Sequence, residues 1–266
     1  MNVSGSEDPV KNILIRFAQT IKMCYIPVSP DYQGVWFAPS FGTISRSTLR
    51  KAFPMKKITV LFQGDSVTDC SRNNCGSALF KSIGLGHGYP VMVAARLTCD
   101  RPDIEWNFIN RGISGNRIVD LYARWKADCI NLAPDILSIL VGVNDTWHEV
   151  ELRNGVEVPR YARFYRELLE WTREALPQVK FILMDPFVCP DVNGRDVFVP
   201  ELVERRKVVA EMAEEFGAIH IPLQDIFDQA FQRAPQAHWA ADGVHPSPAG
   251  HQLIADAWIA AAKKLF

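Results

Sequence analysis

From Ile58 onward the chain alternates short runs of β-branched and large apolar residues with longer runs that repeat apolar residues at helical spacing. The short runs "ITVLF", "IEWNFI", "DILSILVGV", "KFILM" and "AIHI" lack the in-and-out polarity of a strand with one wet face. Between and after them stand "GYPVMVAARL", "NRIVDLYARWKADCINL", "YARFYRELLEWTREAL", "PELVERRKVVAEMAEEF" and "SPAGHQLIADAWIAAAKKL". Strands covered on both faces, each followed by a helix, require a parallel sheet between two helical layers. The predicted fold class is α/β, a three-layer sandwich. At 266 residues the chain suffices for one well-buried core of this kind.

Residues 1–54 do not share the pattern. "VKNILIRFAQTIKM" puts Val10, Ile13, Leu14, Phe17 and Ile21 on one helical face, while "VSPDYQGVWFAPSFGTISRS" reads as irregular loop. The expected organisation is an appendage over 1–54 and one catalytic-size domain over 55–266.

In a parallel α/β sheet the binding crevice lies beyond the carboxyl ends of the strands. Polar, glycine-rich segments fall there: "QGDSVTD", "NRGISGN", "GVNDTW" and "ADGVHPSPAGH". In the last, Ser247 and Pro248 suit the N-cap and first turn of the final helix, leaving Asp242 and His245 on the loop before it. Acyl transfer through a serine needs an exposed hydroxyl, an imidazole base, a carboxylate to orient it and donors for an oxyanion. Ser66 offers the hydroxyl. His245, three residues after Asp242, offers the base with its carboxylate in reach. Gly115 offers an accessible backbone N–H and Asn144 a side-chain amide, with the N–H of Ser66 as a further donor. Each segment alone is also an ordinary turn former, and Asp65 is read as bracing the turn at Ser66.

Taken together, Gly64, Asp65 and Ser66, "NRGISGN" with Gly115, "GVND" with Asn144 and "DGVH" with Asp242 and His245 resemble the blocks of the SGNH (GDSL) hydrolase superfamily. They match in order from about Ile58 to the C-terminus. The resemblance implies a flavodoxin-like α/β/α sandwich, a Ser66–His245–Asp242 triad, and an oxyanion hole from Ser66, Gly115 and Asn144. "GDSVTDCSR", "GLGHGYPVMV", "NRGISGNRIVDLYARWKAD" and "VHPSPAGH" are more narrowly similar to intracellular acetylxylan esterases of that superfamily. That likeness implies a small acetylated saccharide as substrate and an acetyl-enzyme intermediate. Relatives with such blocks act on lipids too, so a lipid esterase or lysophospholipase is the alternative, and a non-catalytic binding module is a third reading.

The rest of the chain narrows the classes. With 29 basic and 30 acidic residues, net charge −1, no field gathers nucleic acid or an anionic membrane. No apolar run is long enough to span a bilayer and the start lacks a secretory pattern, so a cytoplasmic location is expected. The six cysteines are scattered without metal-like spacing and read as reduced; no metal and no cofactor are expected, and a homo-oligomer is left open. No G-x-S-x-G elbow occurs, "GLGHGYP" does not follow a strand as a dinucleotide fingerprint must, and "WHEVEL" lacks the second histidine of a zinc protease. The loop at "GLGHGYP" is expected beside the site. Trp147, Trp239 and Arg117 are placed as candidate substrate contacts.

Overall fold

The computed structural model describes residues 55–72 and 84–266, together with the strands Cys24–Ile26 and Val35–Phe37. The chain divides into two units, residues 1–55 and 56–266. In the first, β1 (Cys24–Ile26) pairs antiparallel with β2 (Val35–Phe37), Tyr25 opposite Trp36. β2 falls inside the stretch read as irregular loop: three residues are too few to show a period. The helical face expected at Val10–Ile21 lies outside the described residues.

In the second unit, β3 (Lys56–Gly64), β4 (Ile104–Asn110), β5 (Ile136–Leu140), β6 (Lys180–Met184) and β7 (Ile219–Ile221) form a parallel sheet in the order β4-β3-β5-β6-β7. This is the flavodoxin-like order, and the α/β reading of the sequence holds. β3 is hydrogen-bonded on both sides, and the connections run in opposite directions from it, which makes its carboxyl end the switch point.

Alternation along each strand sends side chains to opposite faces. Val60 and Phe62 pack with α2 (Tyr89–Asp100), with α7 (Leu223–Phe231) and with the final helix α9 (Pro248–Ala262), through Val93, Phe227, Ile254 and Trp258. Leu61, Leu137 and Leu183 pack on the other face against α3 (Ile118–Asp128), α5 (Val158–Ala175) and α6 (Val199–Glu215), through Trp125, Leu168 and Val209. Fully burying a side chain such as Phe62 contributes about 1.5–3 kcal/mol, so both layers are held by the same term. One polar pair inside this core joins α9 to β5: Trp258 Nε1 donates to Ser138 Oγ at 2.9 Å.

Several helices were not legible from periodicity. α1 (Ser66–Asp69) follows β3 directly, α4 (Val143–Leu152) begins inside "GVNDTW", and α8 (Gln236–Trp239) is a single turn. α4 carries Asn144, Asp145, Glu149 and Glu151 within ten residues, and such polarity masks a helix whose buried side is only its first turn. Among the described residues no helix is long and apolar enough to cross a membrane. Cys70, Cys99, Cys129 and Cys189 are free thiols.

Candidate active site

β3 ends at Gly64 beside Leu140, the last residue of β5, so the two segments that follow these strands emerge together. A Cβ on Gly64 would collide with Leu140 O and Thr68 Oγ1, which is why glycine is required at this close approach. Asp65 then caps α1, its Oδ1 accepting from Val67 N–H at 3.0 Å, and Ser66 opens the helix. The bracing role read for Asp65 is what its geometry shows.

Ser66 Oγ lies 2.7 Å from His245 Nε2, and His245 Nδ1 lies 2.5 Å from Asp242 Oδ2. The carboxylate can only accept from Nδ1–H, so Nε2 carries the lone pair and accepts from the Ser66 hydroxyl. Asp242 Oδ1 also accepts from the backbone N–H of Val244 at 2.9 Å and His245 at 2.7 Å. Burial works to raise the Asp242 carboxyl, but the His245 ring and these two amides outweigh it and hold the group below its ordinary value. It stays ionised at neutral pH.

The "NRGISGN" loop is sewn to the serine turn. Ile113 N–H donates to Gly64 O at 3.1 Å, and Ser114 gives both its N–H and its hydroxyl to Asp69 Oδ2 at 3.0 and 2.8 Å. Asn110 Nδ2 donates to Thr68 O at 2.6 Å and Leu85 O at 2.9 Å, which also pins the "GLGHGYP" loop here. Gly115 sits at φ +81°, with open space where a Cβ would stand, and among the described residues none accepts from its N–H. Asn144 occupies the first turn of α4, buried, its Nδ2 donating to Asn116 O at 3.2 Å. The structure thus brings the amide of Asn144 to the loop that carries Gly115.

Asp145, which no spacing argument singled out, supports that arrangement. Its buried carboxylate accepts from Ile118 N–H at 3.1 and 3.3 Å, joining α4 to α3 just behind the Gly115 loop. Beneath it Arg205 is fully buried, donating to Thr146 Oγ1 at 3.0 Å and Val156 O at 2.6 Å. The signal in the sequence was an acid directly beside Asn144, indistinguishable there from a helix-start residue.

The three candidate substrate contacts divide. Trp147 stays at the site, its ring 5.9 Å from that of His245, with the Arg195 guanidinium 4.0 Å over its face. Arg195, which opens a short 3-10 turn (Arg195–Phe198), also donates to Asp242 O at 3.2 Å, a contact that sequence reasoning missed because its partners are 47 residues apart. Trp239 is buried in the core, 7% exposed, because the side of α8 that carries it faces inward. Arg117 has its donors committed, Nε and Nη2 to Asp120 and Nη1 to Asn154, so it clamps α3 to the segment after α4.

The chain matches the model of the GDSL-like lipase/acylhydrolase family over residues 62–253. The chain belongs to this family. It is 36% identical over 203 residues to an acetylxylan esterase from Geobacillus stearothermophilus, covering 75% of this chain and 91% of that protein. A crystal structure of an acetylxylan esterase from the same organism superposes with a TM-score of 0.69 at 32% identity, over 79% of this chain and 95% of that one. A protein from Parabacteroides merdae ATCC 43184 described as a GDSL-like lipase superposes with a TM-score of 0.73 at 38% identity, over 79% of this chain and 97% of that one. The GDSL-like family member described here is a carboxylic ester hydrolase, which sets aside the reading as a non-catalytic binding module.

Asp65 gives a measurable pH signature. Burial pushes its carboxyl up to about 7, with Asp145 adding repulsion and the Val67 amide and His245 opposing. A folded-state value above the unfolded one means a stabilising contribution present in full below about pH 4 and lost as pH rises through about 7. Asp65→Asn keeps the acceptor for Val67 and removes the titration. The variant is therefore expected to gain stability relative to wild type between pH 5 and pH 8, on the order of 2 kcal/mol, in denaturant unfolding. A difference independent of pH would show that the carboxyl does not titrate in this range.

Proposed function

We propose that the protein is a serine esterase that removes O-acetyl groups from carbohydrates, acetylated xylo-oligosaccharides in particular, through an acetyl-enzyme on Ser66. The observation that carries this reading is the unbroken line from Ser66 Oγ to His245 to Asp242, at 2.7 and 2.5 Å. The acetylxylan esterase likeness supports the substrate class.

In the first step His245 Nε2 takes the proton of the Ser66 hydroxyl as Oγ bonds to the acetyl carbonyl carbon. Negative charge moves to the carbonyl oxygen, where the N–H groups of Ser66 and Gly115 and the amide of Asn144 receive it. Asn144 stands in the first turn of α4, so the positive end of that helix adds to the same stabilisation. The intermediate collapses as the bond to the sugar oxygen breaks and His245 returns the proton to that oxygen. Water then gives a proton to His245 and attacks the acetyl carbon, releasing acetate and restoring the Ser66 hydroxyl. Asp242 holds the imidazolium at each stage.

The Trp147 ring beside His245 supports a short acyl group and a sugar at the rim. A panel of acetylated xylo-oligosaccharides, other acetylated sugars and p-nitrophenyl esters of increasing chain length tests the substrate. The expected result is highest kcat/KM on acetyl esters, falling about tenfold or more by butyrate. Activity that holds or rises with chain length would replace this reading with a lipid esterase, the reading favoured by the likeness to the Parabacteroides merdae protein.

A further inference from the structure

His251 lies on α9 beyond the loop that carries His245, and it is buried. Both ring nitrogens are engaged. Nδ1 accepts from the backbone N–H of Tyr89 at 3.2 Å, so the ring proton is on Nε2, which donates to Cys70 Sγ at 3.0 Å. Burial, with His87 and His245 nearby, pushes His251 down to about 4, and burial with the charge of Asp69 pushes the Cys70 thiol up to about 11. Both partners are neutral at working pH.

Cys70 closes the helix that Ser66 opens. Its N–H donates to Ser66 O at 3.0 Å, and it adopts a left-handed backbone at φ 44°. Tyr89, whose ring stacks on His251, grips the same turn through its hydroxyl, 3.0 Å from Thr68 Oγ1. The packing around the pair is tight: a Cβ on Gly88 would stand 2.5 Å from Cys70 Sγ and 2.8 Å from His251 Cε1. On its own helix, His251 N–H donates to Ser247 O at 2.8 Å, two residues beyond His245. Ser247 is in turn fixed to Trp239 O at 2.8 Å.

The reacting pair needs such a link. Ser66 and His245 are 179 residues apart in sequence, and the His245 side chain is 44% exposed, so packing alone does not hold it at bonding distance from the serine. We propose that His251 is a positioning residue for ester hydrolysis, a strut that ties the turn bearing Ser66 to the segment bearing His245 through Cys70 and Tyr89. The inference rests on the reading of Ser66 and His245 as nucleophile and base.

The test compares His251→Leu, Cys70→Ala, the double variant and His251→Gln on p-nitrophenyl acetate, with the folded fraction measured by circular dichroism. Each single variant is expected to lose about tenfold to a hundredfold in kcat, the scale of a misplaced catalytic group, with KM within about twofold. The double variant should lose no more than the larger single loss, because both changes break one link. His251→Gln, which retains a donor and an acceptor, should recover part of the rate.

A folded His251→Leu enzyme with wild-type kcat, a loss confined to KM, or single losses that multiply in the double variant would each overturn the proposal. Should His251→Leu not fold, Cys70→Ala and His251→Gln decide alone: wild-type kcat in both overturns it. Wild-type turnover in Ser66→Ala would instead remove the underlying reading. Wild-type turnover in the His251 variants beside an inactive Ser66→Ala removes the strut only.

Discussion

Ser66→Ala is expected to abolish ester hydrolysis, with kcat on p-nitrophenyl acetate reduced by about a million-fold, the scale seen when the nucleophile of a serine hydrolase is removed. The reason lies in the geometry at the end of β3. The hydroxyl donates to His245 Nε2 at 2.7 Å, and alanine leaves an imidazole with nothing to deprotonate except water. The donors proposed for the oxyanion remain, since the N–H of residue 66 belongs to the backbone and Gly115 and Asn144 are untouched. Residual catalysis of about a thousandfold over water is the most that these donors and substrate binding sustain. The fold is expected to be unaffected, because Asp65 rather than Ser66 caps α1. A fluorophosphonate probe that labels the wild-type enzyme should leave the variant unlabelled. Wild-type turnover in Ser66→Ala would end the triad proposal.

Asp242→Asn is expected to cost about ten-thousandfold in kcat with the fold intact. The carboxylate accepts three hydrogen bonds, from the amides of Val244 and His245 at Oδ1 and from His245 Nδ1 at Oδ2. An asparagine whose Oδ1 still serves the two amides presents its NH2 to the ring. The imidazole then keeps its lone pair on Nδ1 and its proton on Nε2, facing a serine it can no longer deprotonate. A loss under tenfold, measured on the same ester, would mean that the ring is oriented by something other than Asp242. The Trp147 ring and the Arg195 guanidinium are the neighbours to examine in that case.

The parts of the molecule that were legible in the sequence are those governed by local pattern. Buried parallel strands announce themselves as unbroken apolar runs, and the residues after each run mark the binding edge. Ser66 could therefore be picked out as a hydroxyl after the first strand of the sheet, Asp242 and His245 as an acid and an imidazole on the loop before the last helix, and Ser247 as the cap of that helix. Side-chain direction is a different matter. Trp239 precedes Asp242 by three residues, yet α8 turns its ring into the core, and Arg117 points its guanidinium at Asp120 and Asn154. Asp145, Arg195 and His251 were illegible because each acts across the fold. Their partners are Ile118, the main chain of Asp242, and Cys70 with Tyr89. No window of sequence contains such pairs, and an isolated helical histidine is ordinarily a satisfied core residue.

The separation of Ser66 from His245 also bears on the order in which the molecule is made. During synthesis β3 and the serine turn emerge well before Asp242, His245 and the helix bearing His251. The strand that carries the serine can pair with β4 and β5 long before α9 exists to cover its face. Throughout that interval the hydroxyl has no imidazole beside it and is an ordinary alcohol. On the proposed mechanism, a product truncated before Asp242 carries the Ser66 hydroxyl without the imidazole that activates it.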